Sequence, residues 1–162
     1  MLGGRSSQYR TMYEKAIHVA KKHMFFRPMT ENGDDILISG TVRARGRSID
    51  LEPNSQHLTC FAGGMVAIGS KIFDRPDELD IGKKLVEGCI WAYKSMPSGV
   101  MPEAFRAVPC FDEHVGCSWK IREWLNSEDD DQQPIEELKR RAKERGIYPG
   151  FKDISSPAYH LR

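Results

Sequence analysis

The sequence predicts a mainly α-helical fold with one small β-hairpin. Three segments, at about residues 7–24, 57–73 and 76–96, carry apolar side chains at helical spacing. A fourth, highly charged helix is predicted from Pro134 to about Arg145, where Gly146 ends it, and a short helix from Trp119 to Leu125. Two extended runs on either side of Gly46 are typical of a hairpin.

Length and charge narrow the class of protein. The chain has 162 residues, the length of one ordinary domain that can bury a core. Its 24 basic and 23 acidic residues nearly cancel, so charge gives no argument for nucleic acid or an anionic membrane as a partner. No apolar run approaches the roughly 20 residues that a spanning helix needs, and no signal peptide follows Met1. We therefore expect no nucleic-acid partner and no transmembrane segment in this chain.

The first helix is predicted to begin at Ser6 or Ser7, both suitable N-caps, and to end near Met24. In the hairpin that follows, residues 36–44 and 48–51 are the extended runs. Three arginines alternate with small residues there, and we interpret them as a solvated strand face rather than an anion site: Arg43, Arg45 and Arg47.

The second and third predicted helices, His57 to about Phe73 and Pro76 to Met96, are separated by a short break and should be antiparallel neighbours. Gly63 and Gly64 remove side chains where a neighbour could approach, which would justify the roughly 1 kcal/mol that a helical glycine costs relative to alanine. One face of the second helix carries Leu58, Phe61, Met65, Ile68 and Ile72. The inner stripe of the third is predicted to be Leu79, Gly82, Leu85, Cys89, Ala92, Tyr93 and Met96.

The four cysteines leave two possibilities open. Cys60 and Cys89 could form a bridge that closes a loop of about 30 residues, worth roughly 3 kcal/mol in the loop-entropy model, or they could be buried free thiols. Cys110 and Cys117 could form a second, local bridge. Bonded cysteines would place the chain in the secretory pathway, although it carries no targeting segment.

A zinc site is an alternative use of the same cysteines. Cys110-x3-His114-x2-Cys117 supplies three suitable ligands, and His57 or Asp112 could complete four. The spacing departs from the usual two-residue knuckles. This alternative would make the chain an unrelated zinc-binding helical module.

Glu103 is the best single candidate for a functional acid. It follows Pro102 in a turn that begins at Gly99, and a turn anchored on a packed helix suits a carboxylate that meets a ligand. Glycoside hydrolysis needs two carboxyl groups, about 6.5 to 9.5 Å apart for inversion. Three residues are candidates for the second carboxyl group, although none lies in a recognisable motif: Asp112, Glu113 and Asp153. The tryptophans could stack on a sugar, but each is predicted to pack in the core: Trp91, Trp119 and Trp124.

Five segments, taken in order, resemble glycoside hydrolase family 47, the class I α-1,2-mannosidases that trim high-mannose N-glycans. The first segment, Tyr9-Arg10-Thr11-Met12-Tyr13-Glu14-Lys15-Ala16-Ile17, is similar to the helix after the family's central catalytic Asp. The two segments of the family's disulfide are similar to His57-Leu58-Thr59-Cys60-Phe61 and Cys89-x-x-x-Tyr93. Its substrate-contacting Glu motif is similar to Gly99-x-x-Pro102-Glu103, and the lead-in to its Arg-Pro-Glu motif to Tyr159-His160-Leu161-Arg162.

The resemblance implies an (α/α)7 barrel, so the expected fold is a partial barrel, an incomplete toroid with a small β-hairpin. It implies a Cys60–Cys89 disulfide, a catalytic-site role for Glu103 in sugar binding or proton transfer, and substrate binding by Arg162. It also implies Ca²⁺ in the complete domain, held by a residue outside this chain. The implied partners are high-mannose N-glycans on glycoproteins, and the implied location is the secretory pathway (endoplasmic reticulum or Golgi, or secreted).

On this resemblance, residues 1–162 are a fragment of a single catalytic domain. The family's upstream catalytic Glu and Asp would precede Met1, and its later catalytic Glu would fall two residues past Arg162. Gln56 stands where relatives often carry an acid. Because positioned acid–base catalysis alone contributes about 10² to 10⁴-fold, we expect the isolated chain to be inactive. An unclosed barrel would also leave apolar helix faces exposed, so we expect the isolated chain to be poorly soluble or molten.

The predicted function is therefore a fragment of an inverting mannosyl-oligosaccharide α-1,2-mannosidase. A second hypothesis, from a different class, is a non-catalytic mannose-binding relative that acts in glycoprotein quality control. The zinc-binding helical module is the third.

Overall fold

A computed structural model describes residues 7–110, 117–125 and 133–155 of the chain. Its helices are α1 (Ser7–His23), α2 (Phe61–Ile72), α3 (Pro76–Lys94), α4 (Ile121–Leu125) and α5 (Ile135–Glu144). The prediction of five helices is confirmed, with one difference at the start of the second. Residues His57–Cys60 form a 3₁₀ turn that leads into α2.

The strands are short and form three separate small sheets. They are β1 (Phe25–Phe26), β2 (Ile38–Ser39), β3 (Thr41–Arg45), β4 (Ser48–Glu52), β5 (Asn54–Gln56), β6 (Ala104–Ala107) and β7 (Phe151–Ser155). The predicted hairpin is present as β3 and β4, with Gly46 at φ +61° in its turn. Its three arginines are exposed, as interpreted, and Arg43 forms an ion pair with Glu52 at 2.6 Å.

The prediction of one continuous strand over 36–44 was wrong. Residues 38–39 instead pair antiparallel with Phe25 and Phe26, and the chain changes partner at Gly40. A Cβ at Gly40 would lie 2.8 Å from both the Glu52 carbonyl oxygen and the Leu51 side chain. The close approach of β4 therefore requires a glycine where the chain passes from one sheet to the next.

The three-stranded sheet β5-β6-β7 was not predicted. Residues 97–109 looked irregular, yet 104–107 form the central strand, antiparallel to both neighbours. Ser55 and Phe105 are buried on one face of this sheet, while Asn54, Arg106 and Asp153 are exposed on the other. The sheet is therefore half-buried, and its outer face is polar.

Helices α2 and α3 pack closely and run antiparallel, as predicted. Cys60, just before α2, is bonded to Cys89 near the end of α3, whereas Gly63, further along α2, faces Gly82, which lies earlier in α3. The two helices therefore run in opposite directions. A Cβ at Gly63 would lie 3.1 Å from the Gly82 carbonyl oxygen. Gly64, which was predicted to share this role, has nothing within 4 Å of its Cβ position.

The apolar face of α2 is exposed rather than packed. The residues that the helix buries are small or β-branched: Gly63, Val66, Gly69 and Ser70. The large side chains predicted on one face form what we call the apolar stripe, and they are 61%, 77%, 52%, 63% and 64% exposed: Leu58, Phe61, Met65, Ile68 and Ile72. Apolar patches of this extent are uncommon on a monomer and mark surfaces that contact protein. Within its described residues the fold is an open, partial helical array and not a closed barrel.

A buried carboxylate ties α1 to α3. The side chain of Glu78 is fully buried and accepts hydrogen bonds from the Tyr13 hydroxyl and the Lys21 ammonium, both at 3.2 Å. Arg75 adds an ion pair at 3.5 Å. Burial and then the Glu78 charge raise the pKa of Tyr13, which keeps its hydroxyl in the neutral, donating form. The bonded cations offset the cost of burying this charge.

A second cluster of buried side chains joins the end of α3 to the sheet and to α4. Trp91 stacks on Phe151 with ring centroids 4.7 Å apart, and the Trp124 indole donates to the Phe151 carbonyl at 2.8 Å. Trp119 lies against Trp124. The tryptophans therefore pack within the fold, as predicted. None of the described helices is long and apolar enough to cross a membrane.

Two glycine substitutions test the packing of α3 and α2. A Cβ at Gly88 would overlap the backbone carbonyl of Leu37, so Gly88→Ala should destabilise the protein by about 1–3 kcal/mol. Gly64→Ala meets no neighbour and should stabilise it by up to about 1 kcal/mol. Urea denaturation of the complete protein that contains this chain, followed by circular dichroism, measures both. Equal effects of the two substitutions would contradict the packing described.

The apolar stripe should govern the behaviour of the isolated chain. Met65→Glu with Ile68→Lys removes two exposed apolar side chains, and we expect less self-association at unchanged helix content. Size-exclusion chromatography with light scattering and circular dichroism check this. The matched control is Val66→Lys, which places a charge at a fully buried position of the same helix and should unfold it. An unmodified chain that stays monomeric and melts cooperatively would overturn the prediction.

Candidate functional site

The candidate site lies where the 3₁₀ turn, the end of α3 and the start of β6 meet. The structure joins Cys60 to Cys89 by a disulfide, with their Cα atoms 5.9 Å apart. The Cys60 sulfur also lies 3.7 Å from that of the buried Met101. The bond that the resemblance implied is thus present, and it fixes the 3₁₀ turn against α3 directly beneath the turn that carries Glu103.

Glu103 is exposed at the point where its turn enters the sheet. Gly99 adopts φ +66°, which reverses the chain after α3. Met101 and Pro102, which follow this reversal, are buried, so they anchor the backbone directly before Glu103. The Glu103 carbonyl accepts a hydrogen bond from the His57 amide at 2.9 Å, which continues the pairing of β5 with β6.

His57 has a partner that sequence reasoning missed. Its Nε2 lies 2.6 Å from the Tyr93 hydroxyl, and the two rings meet edge to face. The sequence contained a signal for this contact: His57 lies three residues before Cys60, and Tyr93 lies four residues after Cys89. A disulfide between the two cysteines therefore brings the two rings near each other. The disulfide and this hydrogen bond therefore link the same two elements. We call Glu103, His57 and Tyr93 the Glu103 rim.

Asp153, the one candidate for a second carboxylate among the described residues, is not paired beside Glu103. Asp153 lies on β7 opposite Arg106, three positions along the sheet from Glu103, which corresponds to about 10 Å of strand. The other two candidates, Asp112 and Glu113, lie outside the described residues, as does Arg162.

The second cysteine pair is also bonded. Cys110 and Cys117 form a disulfide with Cα atoms 5.8 Å apart, and Cys117 is buried. Bonded sulfurs cannot ligate zinc as thiolates, so the zinc hypothesis was wrong for these two ligands; its third ligand, His114, lies outside the described residues. No group of three or more His, Cys, Asp or Glu side chains suited to a metal occurs within residues 7–110, 117–125 and 133–155.

Two cavities flank the sheet, and Glu103 lines neither. The larger, of about 810 Å³, lies between β6–β7 and α4–α5. Its wall includes Lys152, which donates to the Glu123 carbonyl at 2.8 Å; burial and then the nearby Arg106 charge lower the pKa of this lysine. The smaller, of about 330 Å³, lies over the outer face of the sheet and is lined by the immediate neighbours of the rim, Gln56 and Ala104.

Comparison with known proteins identifies the family. A family model described as "Glycosyl hydrolase family 47" matches residues 1–162. The chain belongs to this family. The match covers the whole sequence, including the rim, both disulfides and the residues outside the described ranges.

Individual relatives are similar over shorter stretches. The mannosyl-oligosaccharide alpha-1,2-mannosidase 1B of Emericella nidulans is 35% identical over 101 residues, which cover 62% of this chain and 19% of that protein. A probable enzyme of the same name from Neosartorya fischeri is 46% identical over 52 residues, 32% of this chain and 10% of that protein. This family 47 chain therefore matches only a minor part of each relative's length.

A solved structure supports the fold. The alpha-1,2-mannosidase from Trichoderma reesei superimposes with a TM-score of 0.57 and 20% sequence identity, covering 90% of this chain and 25% of that chain. The expectation of a mainly α, partial barrel is confirmed. The exposed apolar stripe of α2 is consistent with an array that matches a quarter of a larger structure.

Removal of the Cys60–Cys89 disulfide should destabilise the fold around the candidate site. Cys60→Ser with Cys89→Ser should lower the free energy of unfolding by roughly 3 kcal/mol, because the unfolded chain regains the freedom of a 29-residue loop. Urea denaturation of the complete protein measures the loss. Cys110→Ser with Cys117→Ser is the matched control and should cost less, since its loop spans 7 residues. A larger loss from the control pair would contradict the assignment of Cys60–Cys89 as the main covalent support.

Proposed function

We propose that the complete protein containing this chain is an inverting α-1,2-mannosidase that removes terminal mannose from mannosyl-oligosaccharides, in particular high-mannose N-glycans. The observation that carries the proposal is the match of the whole chain to glycosyl hydrolase family 47. The similar relatives are themselves named mannosyl-oligosaccharide alpha-1,2-mannosidases. Residues 1–162 are then a fragment of one catalytic domain.

Glu103 is the residue of this chain that we assign to the sugar. Support comes from its position: the side chain is exposed, yet its backbone is anchored by buried neighbours and by the bond to His57. A carboxylate held in this way can accept hydrogen bonds from sugar hydroxyls, or transfer a proton, without first ordering a flexible loop. His57 and Tyr93 hold each other and add a second polar group beside it.

Inversion needs a second carboxyl group on the other side of the scissile bond. Since Asp153 is paired opposite Arg106 and not beside Glu103, the proposal assigns the second carboxyl group to the remainder of the domain. The isolated chain is accordingly proposed to be inactive. Arg162 would contact substrate through its planar fork of donors. Calcium belongs to the proposal for the complete domain only, and no step assigned to this chain involves it.

Both disulfides support a location in the secretory pathway, where thiols are oxidised and N-glycans are processed. We propose the endoplasmic reticulum, the Golgi or secretion as the location of the complete protein.

The decisive experiment compares the complete protein with its Glu103→Gln variant. The variant should lose at least about 10²-fold in kcat on α-1,2-mannobiose, because the amide can neither accept nor deliver a proton as a carboxyl group does. Released mannose is the measurement. Glu87→Gln, an exposed change on the outer surface of α3, is the matched control and should leave the rate unchanged.

The remaining outcomes are equally informative. Equal rates for Glu103→Gln and the unmodified protein would remove Glu103 from the site. Binding of α-1,2-mannobiose without hydrolysis would identify a mannose-binding relative instead of an enzyme. Measurable turnover by residues 1–162 alone would contradict the proposal that this piece is inactive.

A further inference from the structure

The larger cavity, of about 810 Å³, offers room for a ligand that the proposed function does not use. It lies between β6–β7 and α4–α5, and its volume is within the range of about 300–1,000 Å³ typical of small-molecule sites. Glu103, His57 and Tyr93 are not among its lining residues. The cavity is therefore a candidate site for a ligand other than a sugar at the Glu103 rim.

Hydrogen bonds hold the walls of this cavity in place. The Trp124 indole donates to the Phe151 carbonyl, and the Lys152 ammonium donates to the Glu123 carbonyl, both at 2.8 Å. These two bonds join α4 to β7, and all four residues line the cavity. A ligand would therefore enter a space whose walls are already ordered, which lowers the entropic cost of binding.

Much of the lining is apolar. Six of its residues are buried and have apolar side chains: Ala107, Val108, Trp124, Leu138, Ala142 and Phe151. An apolar group that entered the cavity would leave water and gain contacts with these side chains. The lining therefore favours a ligand with an apolar body.

The charged part of the lining is mainly cationic. Its described residues include four basic and two acidic side chains: Arg106, Arg141, Arg145, Lys152, Glu123 and Asp153. This is an excess of two positive charges in one cavity, whereas the whole chain has a net charge of +1. A phosphate monoester carries about −1.5 to −2 charges at neutral pH and has three strong acceptor oxygens. Its charge therefore complements the cavity.

Lys152 and Arg106 bring two of these positive charges close together. Burial and then the Arg106 charge lower the pKa of Lys152, because both disfavour the ammonium form, and the Glu123 charge acts in the opposite direction. An anion bound between the two cations would favour the charged lysine. A titratable group perturbed by burial and by a charged neighbour inside a cavity is typical of functional sites.

We propose that this cavity binds a small phosphate monoester with an apolar body. The phosphate accepts charge-assisted hydrogen bonds from Lys152, Arg106 and Arg145. The apolar body lies against Leu138 and Ala142. The site acts in binding and carries out no chemical step, and it does not depend on the role proposed for Glu103.

The test measures binding to the complete protein that contains residues 1–162 by isothermal titration calorimetry. The probes are octyl phosphate below its critical micelle concentration, inorganic phosphate, which is the charged group alone, and 1-octanol, which is the apolar body alone. Lys152→Gln and Arg145→Gln each remove one cation, and Ala142→Leu fills part of the apolar lining. Lys143→Gln is the matched control, because Lys143 is an exposed cation of α5 that does not line the cavity.

Octyl phosphate should bind the unmodified protein at least about tenfold more tightly than inorganic phosphate or 1-octanol. Lys152→Gln and Arg145→Gln should each weaken octyl phosphate about tenfold, as expected for the loss of a charge-assisted hydrogen bond. Lys143→Gln should leave its affinity unchanged. Ala142→Leu should weaken octyl phosphate at least about fivefold and leave inorganic phosphate unchanged. Arg145 is exposed, so its variant answers the question if Lys152→Gln or Ala142→Leu fails to fold.

Three results would overturn the inference. The first is octyl phosphate that does not bind, or binds no more tightly than inorganic phosphate, because the apolar lining would then contribute nothing. The second is equal weakening by Lys143→Gln and Arg145→Gln, which would indicate general attraction to a basic surface. The third is binding that survives all three cavity variants, which would place the octyl chain elsewhere, such as on the apolar stripe of α2. None of these results bears on hydrolysis of α-1,2-mannobiose, so the proposed function is tested separately.

Discussion

The attachment of the 3₁₀ turn and α2 to α3 is the constraint on which the rest of the structure depends. A disulfide at Cys60–Cys89 fixes one end of the pair, and the Gly63–Gly82 approach allows the two backbones to pack closely along it. The disulfide reduces the conformational entropy of the unfolded chain. The two glycines let the helix backbones come close enough for dispersion contacts that a side chain at either position would prevent. With these two helices fixed, the turn after α3 has a defined starting point, and the exposure of Glu103 follows from it.

The same packing explains why the large apolar residues of α2 face outward. The helix turns its small face toward α1 and α3, where Gly69 leaves room for the Tyr13 ring and Val66 is fully buried. Its large side chains have no covering neighbour among residues 7–110, 117–125 and 133–155. In a toroid of helices each element needs partners on both flanks, so an open array necessarily exposes one such face. The buried Glu78 carboxylate links α1 to α3 through its ion pairs with Lys21 and Arg75.

The three-stranded sheet connects the helices to the candidate functional site. Its inner face contributes Phe105 and Phe151 to the core beneath the end of α3, and Trp91 and Trp124 close that core. Its outer face carries the exposed polar residues Asn54, Arg106 and Asp153. Because one set of strands has both roles, the position of the polar groups is set by buried aromatic packing rather than by loop conformation.

The sequence by itself determined the helices and the cysteine candidates. Periodicity over about 7–24, 57–73 and 76–96 predicted three helices whose bounds agree with the structure within about two residues, except where the second begins as a 3₁₀ turn. These signals are local, because a helix closes its hydrogen bonds within four residues. The family resemblance added the Cys60–Cys89 pairing and the interest in Glu103, which spacing alone had left open.

Only the tertiary structure decided which faces are buried and where the short strands pair. The pairing of 54–56, 104–107 and 151–155 depends on contacts across about 50 residues on either side, and strands of three to five residues carry too little periodicity to predict. The placement of Asn54, Arg106 and Asp153 on one face of the sheet follows from that pairing, so the sequence alone did not show it. Likewise, the apolar stripe on α2 predicts a buried helix face. The pattern does not indicate whether the residues that pack against that face belong to this chain. Local sequence specifies hydrogen bonds within an element, whereas burial depends on what else is present to pack against it.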